Sequence, residues 1–240
     1  AIDVARYFDA PVLSADSRQV YRELKIGTAA PTPAEQAQAR HVFVGHRSVC
    51  EPYNAYEFSQ DAHRFLQGHF QSHPVAILAG GSGLYVDAVL NGIDDLPKVS
   101  AEIREQVREE WQQLGLQWLA EEVRKVDPVY YAQADVQNPM RLRKALEIYR
   151  QTGTPYSKFR LGKKQSLDFE YIKIGLNLPR PELYERINSR VLLMVKQGLE
   201  NEVFGYDKYR ACTALNTVGY KEFFPYFDGK YSLQRAIELV

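Results

Sequence analysis

The chain has 240 residues, 45% of them hydrophobic, with thirty basic residues against thirty acidic ones. That length suits one large domain or a domain with an insertion, and no apolar run is long enough to span a bilayer. Zero net charge argues against a protein that coats nucleic acid indiscriminately, though it leaves room for a local basic patch. Cys50 and Cys212 are far apart and lack metal spacing, which points to a reducing compartment without a disulfide framework. No signal peptide opens the chain, so the cytoplasm is the expected location.

Ala1 to Phe8 carries apolar residues at helical spacing and reads as the tail of a helix. Pro11-Val12-Leu13 reads as a buried strand and runs into Ser14-Ala15-Asp16-Ser17-Arg18-Gln19-Val20-Tyr21. Asp16 is thus expected at the carboxyl end of a strand, where open α/β sheets place their ligand crevice. A carboxylate, a hydroxyl, a guanidinium and an amide in four consecutive residues can accept, donate and grip phosphate. A plain capping role for Asp16 or Ser14 at a strand-to-helix turn explains the same residues equally well.

His41 to His46 reads as a strand and turn. Structural or surface roles are expected for the five histidines. Asn54 to Phe70 reads as a helix with Tyr56, Phe58, Phe65, Leu66 and Phe70 as its apolar contacts. Val75-Ala76-Ile77-Leu78-Ala79 is the best candidate for a buried strand. It leads into Gly80-Gly81-Ser82-Gly83 and then a helical pattern over Leu84 to Leu90. Glycines at that junction let the backbone approach a ligand closely, or simply make a tight turn.

From about Pro97 to Asp135 the composition shifts to charged helices. Ile103, Val107, Trp111 and Leu114 recur every three or four residues, and Leu119, Val123 and Val126 indicate a second helix. Asn138-Pro139 is a strong helix start, followed by an apolar face of Leu142, Ala145, Leu146 and Tyr149. Between Arg141 and Lys164, eight basic residues stand against Glu147 alone, a net +7. In a neutral protein that favours contact with a phosphate backbone over a merely solvated face, with Tyr156 and Phe159 placed to stack on bases. Tyr171 to Asn177 reads as a strand that closes the sheet. Pro181 opens a long helix with Leu183, Ile187, Val191, Met194 and Val195 toward the core. Arg186 and Arg190 are four apart on it, a spacing that suits a diphosphate or a pair of surface ion pairs.

Five blocks in order carry a resemblance. They are Ser14 to Tyr21 with Lys25 to Ala29 and Pro31; Glu51-Pro52-Tyr53 with Phe58 and Asp61-Ala62; Gly80 to Tyr85; Arg141-Leu142 with Ala145-Leu146-Glu147; and Thr217 to Glu222. Together they make the chain similar to tRNA dimethylallyltransferases over essentially its whole length. The resemblance implies an α/β, P-loop NTPase-like core with a parallel sheet, residues 1–96 and 136–240. It also implies a helical insertion, 97–135, that closes on the tRNA anticodon arm. The implied reaction moves a dimethylallyl group from its diphosphate to N6 of the adenosine 3′ of the anticodon.

By the same resemblance Asp16, Ser82 and Arg190 are the expected catalytic residues, and Arg190 with Arg186 the diphosphate site. Asp16, Ser17, Arg18, Gln19 and Arg104 are expected at the tRNA. So are Met140, Arg141, Leu142, Arg143 and Lys144, and Asn216, Thr217, Val218, Gly219, Tyr220 and Lys221. The implied partners are tRNA and dimethylallyl diphosphate, with no membrane and a monomeric protein. Mg2+ is the implied cofactor, held mainly by a glycine-rich phosphate loop. No Walker-type loop occurs in this sequence, and that loop and a basic C-terminal tail are expected to be absent from it. Relatives often carry two adjacent histidines where this chain has Arg40-His41. A prenyltransferase acting on free adenine nucleotide and a non-catalytic RNA-binding remnant are the alternatives. The first needs no basic segment; the second requires true loss of the phosphate loop.

Overall fold

The computed structural model describes residues 1–162 and 166–240. Lys163 and Lys164, two of the eight basic residues counted above, lie outside the described residues. The elements are α1 (Ile2–Phe8), β1 (Val12–Ser14), α2 (Pro33–Gln36), β2 (His41–Val42), α3 (Ala55–His69), β3 (Ile77–Ala79) and α4 (Gly83–Asn91). They continue with α5 (Ala101–Val126), α6 (Pro128–Tyr131), α7 (Pro139–Thr152), α8 (Arg180–Lys196), α9 (Leu199–Gly205), α10 (Phe224–Phe227) and α11 (Leu233–Leu239). The chain divides into two compact units, one of residues 1–91 and 166–240, the other of residues 92–165.

In the first unit a parallel sheet has the order β2-β1-β3, with Val12 opposite both His41 and Ile77. β1 is buried throughout, as its apolar run predicts. β3, expected to be the most buried strand, is only half-buried, because it stands at the edge of this sheet while β1 holds the centre. The chain leaves β1 for β2 on one side and β3 lies on the other. The carboxyl end of β1 is therefore the switch point at which such sheets open a crevice. α3 begins at Asn54, whose side chain accepts the N–H groups of Tyr56 and Glu57 while Glu57 reaches back to Asn54. That reciprocal cap fixes the start of the helix. A hydrophobic core of Val20, Leu24, Leu199, Val203, Leu215, Tyr220 and Phe223 packs this unit beyond the sheet.

Two expectations fail here. Tyr171 to Asn177 forms no strand, and its alternating Ile172, Ile174 and Leu176 are 80–96% exposed. A period-two pattern needs a neighbouring strand edge to become a ladder, and none among the described residues pairs with it. α8 forms where Pro181 predicts a helix, but none of its residues is buried, and Leu183 and Ile187 are about 40% exposed. Only Met194, near its end, packs against the core.

The second unit is helical. Ser100 caps α5, and Gly115, at φ 83° and ψ 179°, leaves the helical conformation, so α5 comprises the two expected helices joined at that residue. Leu114, counted in the apolar stripe, is 56% exposed beside the kink. Asn138 caps α7 by accepting from Met140 and Arg141, with Pro139 in the first turn. Val107, Leu119, Val123, Tyr130, Leu142, Ala145 and Leu146 form the core. The unit runs from 92 to 165 and includes α7, whereas the sequence reading ended the insertion at 135. The apolar face of α7 decides the difference, since it packs on α5.

Candidate active site

Asp16 lies two residues beyond β1. Its Oδ1 accepts the backbone N–H of Arg18 at 2.8 Å and of Gln19 at 3.2 Å, closing a turn on itself. No helix follows β1 directly, so this carboxylate oxygen caps a turn and not the helix start expected there, and Oδ2 takes no part in that turn. The two roles are compatible: a carboxylate held by backbone N–H groups is oriented, and its second oxygen lies outside the turn.

The glycine turn after β3 docks onto this structure. The N–H of Ser17 donates to Ser82 Oγ at 2.9 Å, and the N–H of Ser82 donates to the Ala15 carbonyl at 3.2 Å. Gly80 is required by the approach, because a Cβ there would stand 2.2 Å from the Ala15 oxygen. Gly81 has no such neighbour. Ser82 and Asp16, expected together from the resemblance, are thus adjacent through the backbone of Ser17.

A cavity of about 520 Å3 opens at the carboxyl end of the sheet, lined among others by Ser14, Asp16, Gln19, Ala29, Gly80 and Gly81. Its titratable lining is Asp3, Asp16, Glu35 and His41. No group of three or more histidines, cysteines or carboxylates among the described residues is placed to hold a metal ion. Tyr85 stacks on Phe58 at 4.7 Å between ring centres. Its phenol is pushed up to about 12, chiefly by burial and then by Tyr21, so it stays a neutral donor.

Gln19 and Arg18 both hydrogen-bond to other segments of this chain. Gln19 donates to the Thr28 and Ala29 carbonyls at 3.2 and 3.1 Å and accepts the Ser14 hydroxyl at 2.9 Å. Arg18 donates to the Thr213 and Ala214 carbonyls at 3.0 and 3.4 Å, bringing the segment before Asn216 to the Asp16 turn. Within that block Asn216, Val218 and Lys221 are exposed, whereas Gly219 and Tyr220 are buried. Tyr220, expected at the tRNA, is a core residue whose hydroxyl donates to Glu202 at 2.6 Å. Sequence reading passes over Glu202 altogether, since nothing near it in the chain marks it.

Arg190 is exposed on α8 and Arg186 pairs with Glu182 at 2.9 Å; neither lines the cavity. In the second unit Arg143 is only 15% exposed, pairs with Glu147 at 3.2 Å and lies over Trp111. Arg150 makes a two-bond pair with Glu110 at 2.9 and 2.6 Å. Both are spent on the helices, so the net charge available to a ligand is smaller than the sequence count. Arg104, Arg141 and Lys158 are exposed, as is Met140, while Leu142 is core. Burial first, then Arg104, holds the Lys144 ammonium below the usual lysine range. Tyr156 packs edge-on against Tyr130 at 4.9 Å, with Arg160 over both rings, and is not an open stacking platform.

The family model described as IPP transferase matches residues 19–240. A tRNA dimethylallyltransferase of Christiangramia forsetii is 46% identical over 237 residues, which cover 99% of this chain and 78% of that protein. A tRNA dimethylallyltransferase 1 of Bacteroides thetaiotaomicron is 45% identical over 240 residues, covering 100% and 78%. The crystal structure of a full-length tRNA isopentenylpyrophosphate transferase from Bacillus halodurans is 31% identical. It matches with a TM-score of 0.64 over 99% of this chain and 75% of its own. A eukaryotic dimethylallyltransferase acting on tRNA, at 23% identity, shares the fold with a TM-score of 0.77 over 99% and 61%.

Proposed function

Since the chain belongs to the IPP transferase family, we propose that it transfers the dimethylallyl group of dimethylallyl diphosphate to an adenosine of tRNA. The acceptor is N6 of the adenosine 3′ of the anticodon, and diphosphate is released. The relatives that match at about 45% identity are named tRNA dimethylallyltransferases. The observation that carries the reading on this chain's own residues is the placement of Asp16. It stands at the carboxyl end of the central strand, fixed through Oδ1, on the wall of a cavity of about 520 Å3.

The chemistry needs such a group. The exocyclic amine of adenine is a poor nucleophile because its lone pair is delocalised into the ring. Asp16 accepts a hydrogen of that amine and orients it while the bond from N6 to the allylic carbon forms. The carbon–oxygen bond to the diphosphate breaks and the N6 proton leaves toward the carboxylate. The base has to leave its stack to reach Asp16. Ser82 and the turn it holds keep that carboxylate in register. Mg2+ belongs to this reading as a charge partner of diphosphate. When bound it would supply positive charge to the departing diphosphate, and the described residues hold no cluster of three or more ligating side chains that would cage it. Arg190 is the cation proposed for the departing anion. In the second unit Arg104, Arg141, Lys144 and Lys158 are the residues proposed to meet the anticodon arm by phosphate contact.

The test gives the full-length gene product dimethylallyl diphosphate, Mg2+ and unmodified tRNA, beside a parallel reaction with free AMP. The product nucleoside is identified by mass spectrometry. Prenylated adenosine from tRNA alone is the expected result. Prenyl-AMP would move the protein to the free-nucleotide class, and tight tRNA binding without product would leave a non-catalytic RNA-binding protein.

A further inference from the structure

We propose that Glu202 is the positioning residue of this active site, acting through the Lys25–Gly27 turn on Gln19 and so on Asp16. The inference rests on the reading given under Proposed function and extends it to a residue that does not line the cavity. Glu202 lies in α9, far along the chain from β1. Its carboxylate accepts the backbone N–H groups of Lys25 at 3.0 Å, Ile26 at 2.9 Å and Gly27 at 3.1 Å, and the Tyr220 hydroxyl at 2.6 Å. Three consecutive backbone N–H groups converging on one point form an anion nest, and here a carboxylate of the protein fills it.

The turn is clamped from its other side. A Cβ on Gly27 would lie 2.5–2.7 Å from the Tyr220 ring, so the ring packs directly on the bare backbone. Tyr220 is fully buried, and burial followed by the adjacent Glu202 charge pushes its phenol far up, keeping it a donor. From this clamp the chain runs to Thr28 and Ala29, whose carbonyls hold the Gln19 amide. Gln19 in turn accepts from Ser14 through its side chain and donates its backbone N–H to Asp16 Oδ1. Ser14, Asp16, Gln19 and Ala29 all face the cavity. Hydrogen bonds, linked by the backbone from Gly27 to Ala29 and by Gln19 itself, therefore join Glu202 to the proposed base-orienting carboxylate. Because the links share partners, changes at the two ends should not act independently.

The test uses Glu202→Gln and Tyr220→Phe in the full-length protein, assayed well below their unfolding temperatures. Glu202→Gln should lower kcat by about tenfold or more while KM for dimethylallyl diphosphate stays within about threefold. Tyr220→Phe, which leaves the three backbone bonds in place, should lose less. In an Asp16→Asn background Glu202→Gln should cost under about threefold, the non-additivity expected of coupled residues. Equal loss in both backgrounds, or an unchanged kcat, would overturn the proposal. Amide hydrogen exchange supplies a reading independent of activity. In Glu202→Gln, exchange at Ile26, Gly27 and Gln19 should quicken about tenfold with α3 unaffected; uniform acceleration, or none at Gln19, contradicts the role. Absence of prenyl transfer by the wild type would defeat the proposed function, while the exchange data would still decide whether Glu202 holds the site.

Discussion

Ser82 Oγ accepts the backbone N–H of Ser17 at 2.9 Å, so the turn after β3 and the turn after β1 are joined at the residue next to Asp16. The contact exists because Gly80 lets the two backbones meet. Each turn alone is ordinary, a glycine junction and a self-capped aspartate. Their union places an oriented carboxylate on the wall of the cavity.

Gly80→Ala tests that union. The added Cβ would stand 2.2 Å from the Ala15 oxygen, where only backbone movement relieves it. Urea unfolding should show a loss of about 1–3 kcal/mol, the usual cost of overpacking, and prenyl transfer should fall with it. Gly81→Ala meets nothing within 4 Å and should unfold within about 0.5 kcal/mol of the wild type.

The basic stretch of the second unit divides by its partners. Arg141 is exposed, so Arg141→Ala should reduce the salt slope of tRNA binding by about 1 without loss of stability. Arg143 is shielded and paired with Glu147. Arg143→Ala should leave the salt slope unchanged and cost about 3 kcal/mol in chemical unfolding, since it strands a buried carboxylate. A slope change at Arg143 would mean that the pair opens for RNA.

Lys144 carries an electrostatic strain whose sign is fixed. Its folded pKa lies below the ordinary lysine value of 10.5 because burial, and then Arg104, disfavour the charged form. The unfolded chain therefore binds more protons than the folded one between the folded value and 10.5, and stability rises with pH through that window. Lys144→Met should be more stable than the wild type at neutral pH, the gain shrinking as pH approaches 10.5. It should also bind tRNA more weakly. Stability profiles and binding isotherms on one pair of proteins check both halves.

What was legible in the sequence was local. Asn138 announces its helix because a cap acts within three residues. The Asp16 turn and the Gly80 junction are likewise written in consecutive residues. What was not legible depends on distant partners. Glu202 meets the backbone of residues 25–27 from the other end of its unit, and backbone N–H groups leave no mark on composition. Arg150 reads as a free cation until Glu110, forty residues away, is found against it. The alternation of Ile172, Ile174 and Leu176 states a strand, but pattern alone does not provide the edge it needs. Tyr220, which the resemblance places at the tRNA, is a core clamp in space.

The central claim is that Asp16 orients the attacking amine, and Asp16→Asn tests it most directly. Asparagine keeps the Oδ1 that caps Arg18 and Gln19 while removing the charge, so the turn should survive. Single-turnover prenyl transfer with saturating unmodified tRNA is the measurement. The account predicts a chemical step slower by about a hundred- to ten-thousand-fold, the range for a general base, with the tRNA Kd unchanged within about twofold. A rate within a few-fold of the wild type would contradict it and leave Asp16 as a turn cap alone.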